Sequence, residues 1–111
     1  MSVLSNKPHR FTTLCIERYF PPGTFQCILG QRDHVPKKPD PAAAYEIAFS
    51  LGIAPSRISF IGDTEIDIRT GLAAGMSSIG VEWGFRPVSE LLDSGATLIL
   101  NKPADLPPLF L

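Results

Sequence analysis

Two aspartates, Asp63 and Asp67, stand four residues apart directly after the apolar stretch "SFIG". This spacing places both carboxylates on one side of a helix, one turn apart. Carboxylates alone would repel a phosphate group, but they hold hard cations such as Mg²⁺, and such a cation can bridge protein oxygens and a phosphate oxygen. We therefore predict that the two aspartates hold Mg²⁺, Asp63 directly and Asp67 directly or through a water molecule.

Further polar groups follow other apolar stretches of the chain. Ser5 and Asn6 follow "SVL", and the loop after "FQCILG" carries Lys37 and Lys38. A hydroxyl, neighbouring backbone N–H groups and a lysine make a suitable cradle for a phosphoryl group. Phosphoryl transfer requires this mixture beside a metal, because its catalysis is mostly positioning and neutralisation of negative charge.

An alternation of strands and helices would bring these groups together. Strands are predicted at "SVLS", "FQCILG", "RISFIG", "SSIGV" and "TLIL", and helices at "FTTLCIERYF", "DPAAAYEIAFSLG", Glu65–Ala74 and "PVSELLDSG". Asp40 is the predicted cap of the second helix and Gly52 its end. This order indicates an α/β fold, a Rossmann-like parallel sheet with helices on both faces. Ligand sites of such sheets lie at the carboxyl ends of the strands, where the polar groups stand.

The composition bounds the function classes. A chain of 111 residues forms one domain at most, and a formal net charge of −1 provides no basic surface for nucleic acid. No stretch reaches the ~18 apolar residues of a membrane span, and the polar "SNKPHR" stands where a signal peptide needs an apolar core. Cys15 and Cys27 lack metal-ligand spacing and lie in apolar stretches, which indicates reduced thiols. These features predict a cytoplasmic protein.

Three segments in this order carry a family resemblance: "VLSNK", "KKPDPAAAYEIAFSLG" and "FIGDTEIDIRTGLAAGM". Together they resemble the haloacid dehalogenase-like phosphatases, most closely the phosphoglycolate phosphatase branch. The resemblance spans about residues 2 to 105. It predicts a partial phosphatase core at 1–105, a C-terminal tail at 106–111, Mg²⁺ as the cofactor, and a small phosphorylated metabolite as the substrate.

The resemblance also implies roles for single residues. Ser5 would bond a phosphate oxygen, and Asn6 would contribute its backbone beside it. Lys38, directly before a proline, would neutralise the phosphate and the attacking carboxylate, with its neighbour Lys37 as the less favoured candidate. Asp63 would bind Mg²⁺, and Asp67 would support the metal shell and face the lysine.

One part of the family pattern is absent from the printed sequence. The family's nucleophile lies in a D-x-D-x-[TV] motif at the end of a central first strand, and no such motif occurs here. The resemblance therefore predicts a core that lacks this strand and the cap, and that has no activity alone. Strands beside the gap would expose unpaired backbone groups, so self-association through these sheet edges is expected.

Other interpretations stay open at this point. The chain could be a non-catalytic α/β fragment that binds a partner chain or a phosphate ligand. A phospho-accepting receiver domain is disfavoured, because there the acid at the strand end should precede the lysine in the chain, whereas here Lys38 precedes Asp63. His9 is predicted to be a surface or capping residue, and His34 is a weaker candidate for facing the site. Trp83 and Phe85 would either line an entrance or pack against the following helix.

Overall fold

Strands and helices alternate along the chain in the order that the apolar pattern predicts. The computed structural model describes residues 1–84 and 86–105, so Phe85 and the predicted tail at 106–111 lie outside the described residues. The strands are β1 (Ser2–Pro8), β2 (Cys27–Gln31), β3 (Ser59–Gly62), β4 (Ser77–Val81) and β5 (Leu98–Leu100). The helices are α1 (His9–Tyr19), α2 (Ala42–Leu51), α3 (Glu65–Ala73) and α4 (Val88–Asp93), with 3₁₀ turns at Pro55–Arg57 and Pro103–Asp105. Among the described residues, no helix has the length and apolarity that crossing a membrane requires.

The strands form two parallel sheets. Strand β1 pairs with β2, with Leu4 opposite Leu29, and β3, β4 and β5 form a second sheet in that order. The sequence predicts one sheet with its central strand missing. In the described part of the chain β1 and β3 do not pair with each other, and this break lies where the resemblance places the missing strand.

Helices cover both faces of the first sheet, as predicted. Leu4 packs on the core cluster to which α2 contributes Ala44 and Ala48. On the opposite face, Gly30 lies so close to α1 that an added Cβ would be 2.5 Å from Thr12 Oγ1. In the second sheet α3 and α4 pack on the same face, which is therefore closed to solvent: Ser78 is fully buried there.

Helix α2 joins the two sheets. Its Ala44 and Ala48 form a buried cluster with Ala74 and Met76, and Leu4 of β1 and Phe60 of β3 both pack against this cluster. Small alanine side chains allow the helix to approach both sheets closely. Leu4 and Phe60 are partly buried, so each contributes less than the roughly 2 kcal/mol of a fully buried side chain. Their packing on α2 holds the two sheets together without shared strand pairing.

Two helix starts differ from the prediction. Helix α2 begins at Ala42 with Pro41 as its N-cap, so Asp40 lies one residue before the cap, although its Oδ1 accepts the Ala42 N–H at 2.9 Å. Its end is as predicted, with Gly52 in the left-handed region at φ 66°. His9 is the first residue of α1 rather than a surface or capping residue: its Nδ1 accepts the Gly30 N–H at 3.1 Å and ties α1 to β2.

Candidate functional site

The predicted lysine and the second aspartate are in direct contact. Lys38 Nζ donates to Asp67 Oδ1 at 2.7 Å and to the Leu4 carbonyl at 3.4 Å. The two charged side chains are only 12% and 11% exposed. The ammonium therefore lies between Leu4 of β1 and the first turn of α3, and it links the first sheet to a helix that packs on the second.

Asp67 also closes the first turn of α3. Thr64 is the N-cap, and its Oγ1 accepts the Asp67 N–H, while Asp67 Oδ2 accepts the N–H groups of Asp63 and Thr64 and the Thr64 hydroxyl at 3.1–3.3 Å. This reciprocal pattern is a capping box. The sequence signal for it is the spacing of Thr64 and Asp67 in "TEID", a pattern that was not among the predictions. Because Oδ2 accepts three bonds and Oδ1 faces the lysine, little acceptor capacity remains on Asp67.

Asp63, by contrast, presents a free carboxylate. Among the described residues its side chain takes part in no hydrogen bond or ion pair, whereas its backbone N–H is bonded to Asp67. The loop after β4 passes against it: a Cβ added to Gly84 would lie 2.2 Å from the Asp63 Cβ. This contact joins residues that no local sequence pattern links.

The described residues contain no cluster of three His, Cys, Asp or Glu side chains that could hold a metal ion. One free carboxylate nevertheless fits Mg²⁺, which usually keeps several waters and binds through one or two carboxylates together with substrate phosphate oxygens. A zinc site, which needs three or four protein ligands, does not fit this part of the chain.

Ser5 and Asn6 lie at the same rim as the lysine. The Ser5 hydroxyl oxygen accepts the Lys7 N–H at 3.1 Å, so its own hydrogen can still be donated to an anion. The Asn6 side chain makes two bonds to the main chain of Lys38, at 3.0 and 3.3 Å. The family resemblance implies a role only for the backbone of Asn6, whereas here its side chain makes the contact.

A bidentate ion pair fastens the loop that carries Lys38 to α2. The guanidinium of Arg32 donates to both carboxylate oxygens of Glu46, at 2.6 and 2.9 Å. Gln31 Nε2 donates to the carbonyls of Arg32 and Val35 and closes the start of the same loop. The hydrogen bond from Arg32 lowers the pKa of Glu46 below its ordinary value.

Replacing Glu46 by glutamine should lower the free energy of unfolding by about 0.5 kcal/mol at neutral pH, since partly exposed ion pairs contribute little. Because the pKa of Glu46 is lower in the folded state, the pair stabilises the protein above the ordinary carboxyl pKa and is lost as the pH falls through the folded value. Urea unfolding should therefore show a difference between wild type and Glu46→Gln that shrinks below about pH 4. Glu17→Gln, on an exposed position of α1, is the control. A pH-independent difference would contradict the assignment.

Several other polar candidates lie on the surface. Lys37, beside the bridging lysine, is exposed, and so is Trp83 after β4. His34 is exposed as well and adopts a left-handed backbone conformation with φ 68°. Cys15 and Cys27 are free thiols, as predicted, and burial raises the pKa of Cys27.

Comparison with known proteins gives a consistent pattern. The family model for haloacid dehalogenase-like hydrolases matches residues 1–81. The chain is 33% identical over 109 residues to the phosphoglycolate phosphatase of Pectobacterium atrosepticum, covering 98% of this chain and 47% of that protein. A solved structure of a candidate phosphoglycolate phosphatase from Lactobacillus delbrueckii subsp. bulgaricus superposes with a TM-score of 0.87 at 37% identity, covering 95% of this chain and 44% of that one. A predicted phosphoglycolate phosphatase from Haemophilus somnus gives the same TM-score at 26% identity, covering 97% and 48%. The chain thus spans less than half the length of each of these three proteins.

Proposed function

Because the chain belongs to the haloacid dehalogenase-like hydrolases, we propose that its site serves the Mg²⁺-dependent hydrolysis of a small phosphomonoester, of the kind that phosphoglycolate phosphatases act on. The observation that carries this proposal is the 2.7 Å contact between Lys38 and Asp67, which unites motifs 29 residues apart at one rim. The relatives' name supports the substrate class, since the chain is 33% identical to one of them.

The phosphate-binding groups are Ser5 and Lys38. An ammonium has three N–H donors, of which Lys38 uses one on Asp67 and one on the Leu4 carbonyl, so that a third can bond a phosphate oxygen. The Ser5 hydroxyl donates to a second oxygen. Both donors are held by β1, and they therefore need little rearrangement when an anion binds.

Asp63 is the residue that would hold Mg²⁺, because its carboxylate has no other partner in the described part of the chain. When bound, the ion would neutralise negative charge on the phosphate. Asp67 supports this arrangement rather than ligating the ion directly: it orients the N–H groups of Asp63 and Thr64 and keeps Lys38 in place.

A nucleophile must come from outside the printed sequence, because no D-x-D-x-[TV] motif occurs in it. We expect no measurable hydrolysis of p-nitrophenyl phosphate by the chain with Mg²⁺. We expect turnover when a polypeptide that carries the motif, taken from a phosphoglycolate phosphatase relative, is added. Asp63→Asn should abolish the restored activity, and Lys37→Met should not. Turnover by the chain alone, or restored turnover that survives Asp63→Asn, would contradict the proposal.

A second candidate is a non-catalytic α/β chain that binds a partner or a phosphate ligand. It is supported by the missing motif and by β1 and β3, each of which pairs on one side only among the described residues. Such edges can pair with another chain, including a second copy. Sedimentation velocity over a hundredfold concentration range, together with a Mg²⁺ titration, separates the candidates: self-association without Mg²⁺ binding favours the non-catalytic one.

A further inference from the structure

We infer that Asn6 is a positioning residue, whose carboxamide holds the main chain of Lys38 to β1 and thereby sets where the ammonium lies. The inference rests on the proposed function, because the ammonium that it places is the proposed phosphate-binding group. It adds a role for the Asn6 side chain, whereas the family resemblance suggests one for its backbone only.

The geometry of the contact is reciprocal. Asn6 Oδ1 accepts the Lys38 N–H at 3.0 Å, and Asn6 Nδ2 donates to the Lys38 carbonyl at 3.3 Å. One side chain thus satisfies both polar main-chain groups of a residue 32 positions away. The opposite orientation of the amide would put donor against donor and acceptor against acceptor, so the contact selects a single arrangement.

The lysine segment has few other main-chain attachments. Pro36 and Pro39 flank the two lysines and carry no N–H donor. The neighbouring Lys37 carbonyl accepts the Asp40 N–H, a bond within the segment itself. Gln31 of β2 holds the Val35 carbonyl just before these residues. Within residues 36–39, the contact with Asn6 is the main-chain attachment to a strand in the described part of the chain.

Strand β1 holds both the main chain and the ammonium of Lys38. Asn6 binds its main chain, and the Leu4 carbonyl, two residues earlier, accepts a bond from its ammonium. A lysine side chain that is free before binding loses rotamer entropy when a ligand orders it, and this loss weakens binding. Fixing both ends in advance leaves the third N–H directed at the anion before the anion arrives.

The test uses inorganic phosphate and Mg²⁺ as probes, with affinities measured by titration and NMR. Asn6→Ala should weaken phosphate binding in the presence of Mg²⁺ by about tenfold and leave the affinity for Mg²⁺ alone unchanged, since Asp63 is untouched. General loosening of the fold would weaken both. The matched control is Asn101→Ala, because this exposed asparagine is also followed by Lys-Pro. Unchanged phosphate affinity in Asn6→Ala, or an equal loss of both affinities, would overturn the inference.

A second measurement keeps the inference separate from the proposed function. Hydrogen exchange of the Lys38 amide should be at least tenfold faster in Asn6→Ala than in wild type, and Asn101→Ala should not change it. If wild type binds no phosphate, the proposed function fails, and this exchange rate alone decides whether Asn6 holds Lys38. Should Asn6→Ala not fold, a scalar coupling across the Lys38 N–H to the Asn6 side-chain carbonyl in wild type supports the contact, and a fast-exchanging amide without that coupling overturns it.

Discussion

Lys38→Met is expected to destabilise the protein by about 2–3 kcal/mol. The methionine keeps the apolar stem of the lysine but removes the ammonium from Asp67, whose carboxylate is nearly buried. Breaking one side of a buried pair commonly costs 3–5 kcal/mol, because a charge is left without compensation. The cost should be smaller here, since Asp67 keeps its hydrogen bonds at the start of α3. Urea unfolding measures it.

The adjacent residue provides the matched control for this experiment. Lys37 is exposed, so Lys37→Met should change the free energy of unfolding by less than about 0.5 kcal/mol. The double variant Lys38→Met, Asp67→Asn should lose less than the sum of its single variants, because no buried charge then remains. Equal stability of the two lysine variants would show that the ammonium is not held between the sheets.

Gly62→Ala is expected to cost about 3 kcal/mol. A Cβ at this position, the last of β3, would lie 2.2 Å from the Asp67 Cβ and 2.4 Å from its Cγ. Asp67 cannot turn away, because hydrogen bonds hold both of its carboxylate oxygens, and Gly62 cannot shift without breaking its pairing with Gly80. Overpacking of this kind typically costs about 1–3 kcal/mol. We expect a cost near the upper value here, because neither Asp67 nor Gly62 can move aside.

Gly84→Ala is expected to weaken Mg²⁺ binding with little loss of stability, in contrast to Gly62→Ala. Its Cβ would meet Asp63 as closely as the Gly62 Cβ meets Asp67, at 2.2 Å, but Asp63 has no side-chain bonds in the described residues and Gly84 lies in the loop after β4. We expect less than about 1 kcal/mol of destabilisation, together with at least tenfold weaker Mg²⁺ binding. Thermal unfolding and Mg²⁺ titration of both glycine variants provide the comparison. Equal destabilisation by the two substitutions would contradict the difference in mobility between the aspartates.

Much of this molecule could be predicted from local sequence patterns. The boundaries of β4, the end of α2 at Gly52 and the order of strands and helices follow from apolar periodicity and helix-end signals. The placement of Ser5, Lys38 and Asp63 follows from one general rule, that parallel strands gather their carboxyl ends at one edge. The family resemblance added the expectation that Asp67 faces the lysine, and in the structure the two are in contact.

The rest depends on contacts between distant residues, for which a single sequence carries no signal. Asn6 and Lys38 are 32 positions apart, and the pattern around Asn6 reads equally well as a turn. The approach of Gly84 to Asp63 is likewise set by where β4 ends in space. The sequence indicated a missing strand between β1 and β3. It could not indicate whether these two strands would pair with each other across the gap, because strand propensities do not specify pairing partners.

The bridge between the two sheets also bears on the order of events during folding. Strands β1 and β2 form one β–α–β unit and β3 and β4 another, and contacts within each unit are closer in sequence than the contacts that join Lys38 to Asn6 and Asp67. The contact between Lys38 and Asp67 joins the two units, so each unit should assemble first and the lysine should dock last. Stopped-flow measurements on Lys38→Met should then show faster unfolding with an unchanged refolding rate, as expected for a contact absent from the transition state.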